Sequence, residues 1–183
     1  MSRLGSTAES RGGLLTSPRE PIPTSAIPAI RRAAPTDAPA LAALRFEFRS
    51  ALDPAVESEK AFRRRTIGWM ADRLLGKGCW HCWLAELAGE TIGMAWLQLV
   101  EKLPNPVGEP EWLGYVTSVY VTPACRQRGI GAALLEAALS ECDSRGVEAV
   151  ILWPTPRSRP LYARHGFTAP TDLLQRRPAP PTA

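Results

Sequence analysis

Apolar and polar positions change period several times along the chain, which indicates a mixture of strands and helices. A strand is predicted over residues 27–33, and a helix follows it with Asp37 as the predicted N-cap. Apolar residues then recur at helical spacing: Leu41, Leu44, Phe48 and Leu52. A second helix is predicted over residues 58–75, where Gly76 ends it.

The centre of the chain predicts a β-hairpin. Two apolar stretches, residues 81–87 and 91–100, are joined by Ala88-Gly89-Glu90, a connection short enough for adjacent antiparallel strands. Residues 102–110 contain three prolines and one glycine and are therefore predicted to form a loop.

A β-α-β unit is predicted in the second half of the chain. Residues 113–121 alternate in a β-rich pattern that stops at Thr122-Pro123. A helix reaching Arg145 follows a basic turn, with a broad apolar face: Ile130, Leu134, Leu135, Ala138 and Leu139. Residues 147–153 are almost continuously apolar, as in a central strand. The two strands of this unit should be parallel.

Length and composition predict one globular domain. The chain has 183 residues, of which 45% are hydrophobic, enough to form a core. Residues 1–26 are rich in Ser, Gly, Pro, Thr and Arg, and residues 178–183 in Pro and Ala, so both segments are predicted to be disordered tails. The domain is therefore placed at residues 27–177.

Charge and hydropathy exclude several classes of partner. The net charge of +4 is small and scattered, so no nucleic acid partner is expected. No run of 18 uncharged apolar residues occurs, and the N-terminus lacks the pattern of a secretory leader. We therefore expect a cytoplasmic protein without a membrane partner. The run Arg63-Arg64-Arg65 is interpreted as a solvated helix face.

Cys79 and Cys82 have the C-x-x-C spacing of redox and zinc sites. A zinc site needs two further ligands, and the other cysteines and histidines form no second closely spaced pair. No metal is therefore expected, and the cysteines are interpreted as buried, reduced thiols.

The turn from Arg126 to Gly131 is the strongest candidate for binding chemistry. The N-terminus of a helix presents unpaired N–H groups and the positive end of the helix dipole, which together attract anions. Gly129 and Gly131 would let a phosphate approach the backbone, and Arg126 and Arg128 add positive charge. By itself the turn fits a structural strand-to-helix connection equally well. It matches neither the P-loop nor the dinucleotide fingerprint.

Two segments resemble motifs of the GNAT superfamily of N-acetyltransferases. Residues 120–131, YVTPACRQRGIG, resemble its cofactor motif [QR]-x-x-G-x-[GA], and residues 161–167, LYARHGF, resemble its L-Y-x-x-x-G-F segment. The resemblance covers residues 27–177. It implies an α/β (α+β) fold with a mixed, mostly antiparallel sheet of six or seven strands and about four helices. The fourth and fifth strands of this fold splay apart.

The resemblance also implies a site for acetyl-CoA as co-substrate. The pantetheine arm would pair with the main chain of Val119, Tyr120 and Val121. Arg126 would add charge beside the amides that hold the pyrophosphate: Gln127, Arg128, Gly129, Ile130, Gly131 and Ala132. Tyr162 would lie near the thioester sulfur and give a proton to the leaving thiolate.

The activity so implied is transfer of the acetyl group to a primary amine of a small molecule, amino acid or peptide, by direct attack in a ternary complex. Glu47 and Glu111 are the first carboxylates to test as the base that deprotonates the amine. The alternative is a non-catalytic acyl-CoA-binding sensor or regulatory module. A homodimer is left open.

Two positions depart from the family pattern. Thr155 stands where the family often has Asn, and Ser158 where Ala is common. These changes affect the expected acetyl pocket and leave the cofactor turn intact.

Four tryptophans fall around the segments expected to choose the acceptor and fit either an aromatic acceptor pocket or core packing: Trp80, Trp83, Trp96 and Trp112.

Overall fold

The structure is a computed structural model that describes residues 27–76 and 78–176. Its centre is one five-stranded sheet in sequential order: β1 Ala29–Arg32, β2 Trp80–Leu87, β3 Glu90–Glu101, β4 Trp112–Val121 and β5 Val150–Ile151. Four α-helices surround it: α1 Ala38–Ser50, α2 Glu59–Arg73, α3 Ile130–Arg145 and α4 Arg159–Arg164. β1 to β4 pair antiparallel and β4 pairs parallel with β5, which confirms the predicted mixed sheet.

The expectation of six or seven strands is wrong for the described residues, which form five. β5 contains only two residues instead of the predicted 147–153. Pro154 and Pro156 follow it, and because proline has no N–H to donate, the strand cannot extend far in this direction. The predicted tails, residues 1–26 and 178–183, lie outside the described residues.

Helices cover both faces of the sheet and create two apolar clusters. On one face, α3 and α4 contribute residues such as Leu134, Leu135 and Tyr162 to the larger cluster. On the other face, Leu41 of α1 and Met70 of α2 pack against β2 and β3. The buried residues of α3 follow the predicted apolar stripe, so its amphipathic pattern is confirmed.

The predicted hairpin is confirmed as β2 and β3. The connecting residues Ala88 and Gly89 both have positive φ, 50° and 80°. Two consecutive left-handed residues match the right-handed twist of the flanking strands and let them pair directly.

Asp37 occupies the predicted N-cap position of α1, but its carboxylate does not cap that helix. It accepts a hydrogen bond of 2.7 Å from the N–H of Ala34, and it is paired with both terminal nitrogens of Arg31. The reason is a 3-10 turn at Pro35–Asp37, which puts Asp37 in a helical conformation and turns its side chain back toward β1. Asp37 therefore ties β1 to the start of α1.

A β-bulge at Ser118 interrupts the predicted alternation of β4. Ser118 has φ of 55°, and the pairing with β3 shifts between Met94 and Trp96. As a result Val116 and Val119, three residues apart, both pack against the α3 side of the sheet. A regular strand would point them to opposite faces.

β4 and β5 separate after Tyr115, before the bulge, as the predicted fold requires. β5 pairs with β4 only at Gly114 and Tyr115, whereas β4 continues to Val121. The second half of β4 therefore borders a gap on its β5 side.

All four cysteines are free thiols, and the expected burial is confirmed for Cys82, Cys125 and Cys142. It is wrong for Cys79, which precedes β2 and is partly exposed. Burial raises the pKa of Cys142 to about 11 and raises that of Cys82 as well. Within the described ranges, no helix has the length and apolar character needed to span a membrane.

Candidate cofactor and acceptor site

A cleft of about 670 Å³ lies where β4 and β5 separate. Its walls come from the end of β4, the turn before α3, the segment leading into α4 and the end of α1. It is lined by every predicted cofactor residue except Arg128: Val119, Tyr120, Val121, Arg126, Gln127, Gly129, Ile130, Gly131 and Ala132. Residues from the two sides of the β-α-β unit thus meet at one site.

The turn before α3 directs backbone N–H groups toward this cleft. Gln127 and Gly129 both have left-handed backbones, with φ of 62° and 76°. The first hydrogen bond of the helix runs from the N–H of Ala133 to the carbonyl of Gly129, 3.0 Å. The N–H groups from Ile130 to Ala132 therefore have no acceptor within the helix, and a helix start of this kind suits an anion.

The two glycines of the turn contribute in different ways. A Cβ at Gly129 would meet open space, but the positive φ strains any other residue there. A Cβ at Gly131 would lie 3.7 Å from Leu161 Cδ2 and 4.0 Å from Val121 Cγ2, across the cleft. Gly129 therefore shapes the turn, and Gly131 keeps the space between the walls open.

Three arginines give the cleft a positive lining: Arg126, Arg157 and Arg164. Arg126 is fixed at the end of β4, because its Nε donates to the carbonyl of Val121 at 2.9 Å and its guanidinium lies 5.6 Å from the centre of the Tyr120 ring. Arg157 and Arg164 flank α4 and were not identified from the sequence. Only the fold brings them opposite the turn.

Tyr162 is on α4, behind the cleft wall. Its side chain is 9% exposed, and its ring packs edge-on against Phe167 with centroids 5.7 Å apart. Burial raises the pKa of Tyr162, and a hydrogen bond with Ser158 acts against this rise. Tyr162 does not itself line the cleft, but Ser158 and Leu161 do. Its hydroxyl is therefore protonated at neutral pH and is connected to the cleft by its hydrogen bond with Ser158.

The two departures from the family pattern contact each other. The hydroxyl oxygens of Thr155 and Ser158 lie 3.0 Å apart, and the N–H of Thr155 donates to Ser158 Oγ at 2.9 Å. Both residues line the cleft. Together with Tyr162 they place three hydroxyl groups in succession beside the gap between β4 and β5.

Helix α1 forms the opposite wall, through Phe48, Ala51 and Leu52. The Phe48 ring packs against Tyr120 with centroids 5.1 Å apart. Burial, and then the neighbouring Glu47 carboxylate, raise the pKa of Tyr120 to about 12. No hydrogen bond of normal geometry reaches the Tyr120 hydroxyl from the described residues.

The two candidate bases lie in different places. Glu47 is on α1 and acts on the buried hydroxyl of Tyr120, a residue that lines the cleft, but Glu47 is not itself among the cleft residues. Glu111 is exposed and precedes the other end of β4. At about 3.3 Å per residue, the strand separates Glu111 from Tyr120 by roughly 30 Å. Of the two, Glu47 is thus nearer to the cleft, and Glu111 lies at the far end of β4.

The tryptophans pack together under α2 or into the core. Trp69, Trp80 and Trp96 form one aromatic group, with centroids 5.5 to 6.2 Å apart. Trp83 belongs to the core on the α3 side. Neither group lines the cleft.

The sequence matches a known family of proteins and several curated relatives. A sequence model described as the acetyltransferase (GNAT) family matches residues 41–167. A mycothiol acetyltransferase of Amycolatopsis mediterranei (strain U-32) is 38% identical over 88 residues, which is 46% of this chain and 29% of that protein. Another, of Thermobispora bispora, is 36% identical over 101 residues, which is 51% of this chain and 32% of that protein. The chain thus matches about a third of the length of these curated relatives.

Solved structures share the fold over most of the chain. A GCN5-related N-acetyltransferase of Ralstonia eutropha JMP134 has a TM-score of 0.66 at 28% identity, covering 82% of this chain and 98% of the other. A predicted acetyltransferase of Clostridium acetobutylicum, solved with acetyl-CoA, has a TM-score of 0.65 at 21% identity, covering 82% and 96%.

Proposed function

This chain belongs to the GNAT acetyltransferase family, and on that premise we propose that it transfers the acetyl group of acetyl-CoA to a primary amine. The observation that carries the proposal is the cleft between β4 and β5. It joins an open strand edge, a helix N-terminus and three arginines, which suit the parts of one extended, anionic co-substrate.

Two backbone features support binding of acetyl-CoA. The edge of β4 from Val119 to Val121 has no pairing with β5, so an extended pantetheine arm can add to it like a strand. The N–H groups at the start of α3 suit the pyrophosphate, and Arg126 adds charge beside them. Arg157 and Arg164 supply further positive charge from the facing wall.

In the proposed reaction the neutral amine attacks the thioester carbonyl directly. The new N–C bond forms as the C–S bond breaks, and the protein makes no covalent intermediate. An alkylamine with a pKa near 10 is about three units from its neutral form at pH 7, roughly 4 kcal/mol, so removal of its proton needs assistance. We assign this role to Glu47, the candidate carboxylate nearer to the cleft.

The leaving thiolate takes up a proton, and Tyr162 is its proposed source. The raised pKa of Tyr162 keeps the hydroxyl protonated until it is used. Ser158, which lies between this hydroxyl and the cleft, would orient it. Because no base or donor is needed for binding alone, retention of both groups favours an enzyme over an acyl-CoA sensor. The cytoplasmic location stays a prediction from the sequence.

A screen of amines with acetyl-CoA, following release of the free CoA thiol, tests the proposal. A blank without acceptor corrects for the partly exposed thiol of Cys79. Acetylation of at least one class of primary amine is expected. A protein that binds acetyl-CoA but acetylates no amine would instead be the sensor.

A further inference from the structure

Arg45 is a half-buried cation of α1 that does not itself line the cleft but contacts Phe48, which does. Its Nη1 donates to Ser118 Oγ at 2.8 Å, and its guanidinium lies 5.8 Å from the centre of the Phe48 ring. Phe48 lines the cleft, and Ser118 is the bulge residue of β4. The guanidinium is therefore held beside the bulge, where the side chains of β4 change the face of the sheet toward which they point.

Arg45 has no acidic partner among residues 27–76 and 78–176. Other arginines do: Arg31, Arg49 and Arg65 each form an ion pair. Burial lowers the pKa of Arg45, and the charge of Arg49 lowers it further. Placing a cation away from water without a counter-charge costs free energy, and an anionic ligand would offset that cost.

The backbone at Ser118 is also strained. A non-glycine residue with φ of 55° inside a strand is uncommon, and such strain is concentrated at functional sites. Here it directs a hydroxyl toward α1, where it accepts the hydrogen bond of Arg45.

The position of Arg45 separates it from the pyrophosphate site. The N–H groups at the start of α3 belong to the other face of the sheet, where α3 packs. Arg45 lies on the face covered by α1 and α2. An anion at Arg45 would therefore belong to the second substrate.

We propose that Arg45 binds an anionic group of the acceptor, so that the preferred substrate is a primary amine carrying a carboxylate or a phosphate. This inference rests on the proposed acetyl transfer and names the acceptor class for that site. A guanidinium presents several N–H donors in a planar fork and, with one nitrogen held by Ser118, can direct others at such a group.

Matched acceptors test the inference: amino acids against their carboxamides, and phosphoethanolamine against ethanolamine. We expect wild-type kcat/KM to favour the anionic member of at least one pair by about tenfold or more, because charge-assisted hydrogen bonds are involved. The pair that shows the preference identifies carboxylate or phosphate. In Arg45→Gln the ratio within that pair should fall toward one, mainly through KM, and Arg45→Lys should retain part of it.

Arg49→Gln is the matched control, because Arg49 is on the same helix but exposed and paired with Asp53. It should keep the wild-type ratio. Equal kcat/KM values within both pairs, or an Arg45→Gln variant that keeps the preference, would overturn the inference while leaving acetyl transfer established. Thermal unfolding of each variant identifies a general loss of structure.

A binding measurement covers the case in which no acceptor turns over. Calorimetric titration of the CoA-loaded protein compares N-acetylamino acids and N-acetylphosphoethanolamine with their neutral counterparts. Tighter binding of the anionic member, lost in Arg45→Gln, supports the inference. Equal binding of both members overturns it, whereas absence of turnover counts separately against the proposed activity.

Discussion

Burial, more than ion pairing, shifts the pKa values of the two tyrosines at and behind the cleft wall. Tyr162 and Tyr120 both have raised pKa values whose first cause is burial. A buried phenol favours its neutral form, since the phenolate would lose hydration. Both hydroxyls therefore carry their protons at neutral pH, and only Tyr162 has a hydroxyl neighbour leading to the cleft, through Ser158.

Replacement of Tyr162 by Phe removes one hydroxyl from the proposed reaction path. We expect kcat to fall by about 10- to 10⁴-fold, because the leaving thiolate loses its proton donor, with little change in acetyl-CoA affinity. Steady-state kinetics and calorimetry measure the two effects separately. Tyr115→Phe is the control: its ring packs against Trp153 and does not line the cleft, so kcat should change much less. An unchanged kcat in Tyr162→Phe would contradict the assigned role.

Ser158→Ala tests the same hydroxyl through pH. The hydrogen bond from Ser158 acts against the raised pKa of Tyr162, so its removal should raise that pKa further. If a protonated Tyr162 limits turnover at alkaline pH, the alkaline limb of the kcat profile should move to higher pH. A shift to lower pH would show that Ser158 does not act on Tyr162 in this way.

Substitution of Gly129 should lower stability, whereas substitution of Gly131 should lower acetyl-CoA affinity. Gly129→Ala puts alanine in a left-handed backbone and should cost about 1 kcal/mol of stability. Gly131→Val fills space bounded by Leu161 and Val121, so acetyl-CoA affinity should fall while the melting temperature changes little. Melting curves and calorimetric Kd values distinguish these outcomes. A Gly131→Val protein with wild-type affinity would show that the co-substrate does not occupy the space beside Gly131.

At the level of elements, the separation of β4 from β5 creates the site. The bulge at Ser118 turns the second half of β4, and the prolines after β5 end its pairing early. The bare strand edge, the turn before α3 and the start of α4 therefore border the same gap. The end of α1 completes the wall, so the placement of α1 also matters for the site.

Asp37 anchors α1 through Arg31 and Ala34, and its removal should weaken that placement. We expect Asp37→Ala to lose about 1–2 kcal/mol of unfolding free energy, as for a lost cap and charged hydrogen bond. Asp53→Ala removes only an exposed i,i+4 pair and should lose about 0.5 kcal/mol or less. Denaturant unfolding of both variants measures the contrast, and equal losses would contradict the anchoring role.

The same contact predicts an acid dependence. Hydrogen bonds from Arg31 lower the pKa of Asp37 in the folded protein below its ordinary value. Its contribution is thus present above the unfolded pKa, near 4, and is lost as pH falls through the lower folded value. Between pH 5 and pH 2 the difference in stability between wild type and Asp37→Ala should shrink.

At the scale of the whole molecule, residues 27–177 are proposed to be sufficient for folding and cofactor binding. Removal of residues 1–26 should leave acetyl-CoA affinity and the melting temperature unchanged, because their composition offers no apolar face to pack. Calorimetry and thermal unfolding of the shortened chain measure this. A large fall in either value would make residues 1–26 part of the folded domain.

The sequence alone determined the local elements and the composition of the cofactor wall. Hydrophobic periodicity and turn glycines are local signals, so the hairpin, the α3 stripe and the parallel β-α-β unit followed from them. The two motifs together indicated the family. The five apolar stretches predicted as strands are the five observed, whereas the count of six or seven, which the resemblance implied, was too high for the described residues. The length of the fifth strand was overestimated, because an apolar run such as residues 147–153 does not reveal where its pairing partner departs.

Only the tertiary structure decided what faces that wall. Arg157, Arg164 and Phe48 are far from the turn along the chain, and Arg45 reaches Ser118 across 73 positions. The bulge at Ser118 depends on pairing with β3, and the carboxylate of Asp37 turned to Arg31 because a 3-10 turn preceded α1. Such contacts are set by chain topology and long-range packing, which residue spacing does not encode. The sequence therefore specified one side of the cleft, and the fold supplied the side where we propose that the acceptor binds.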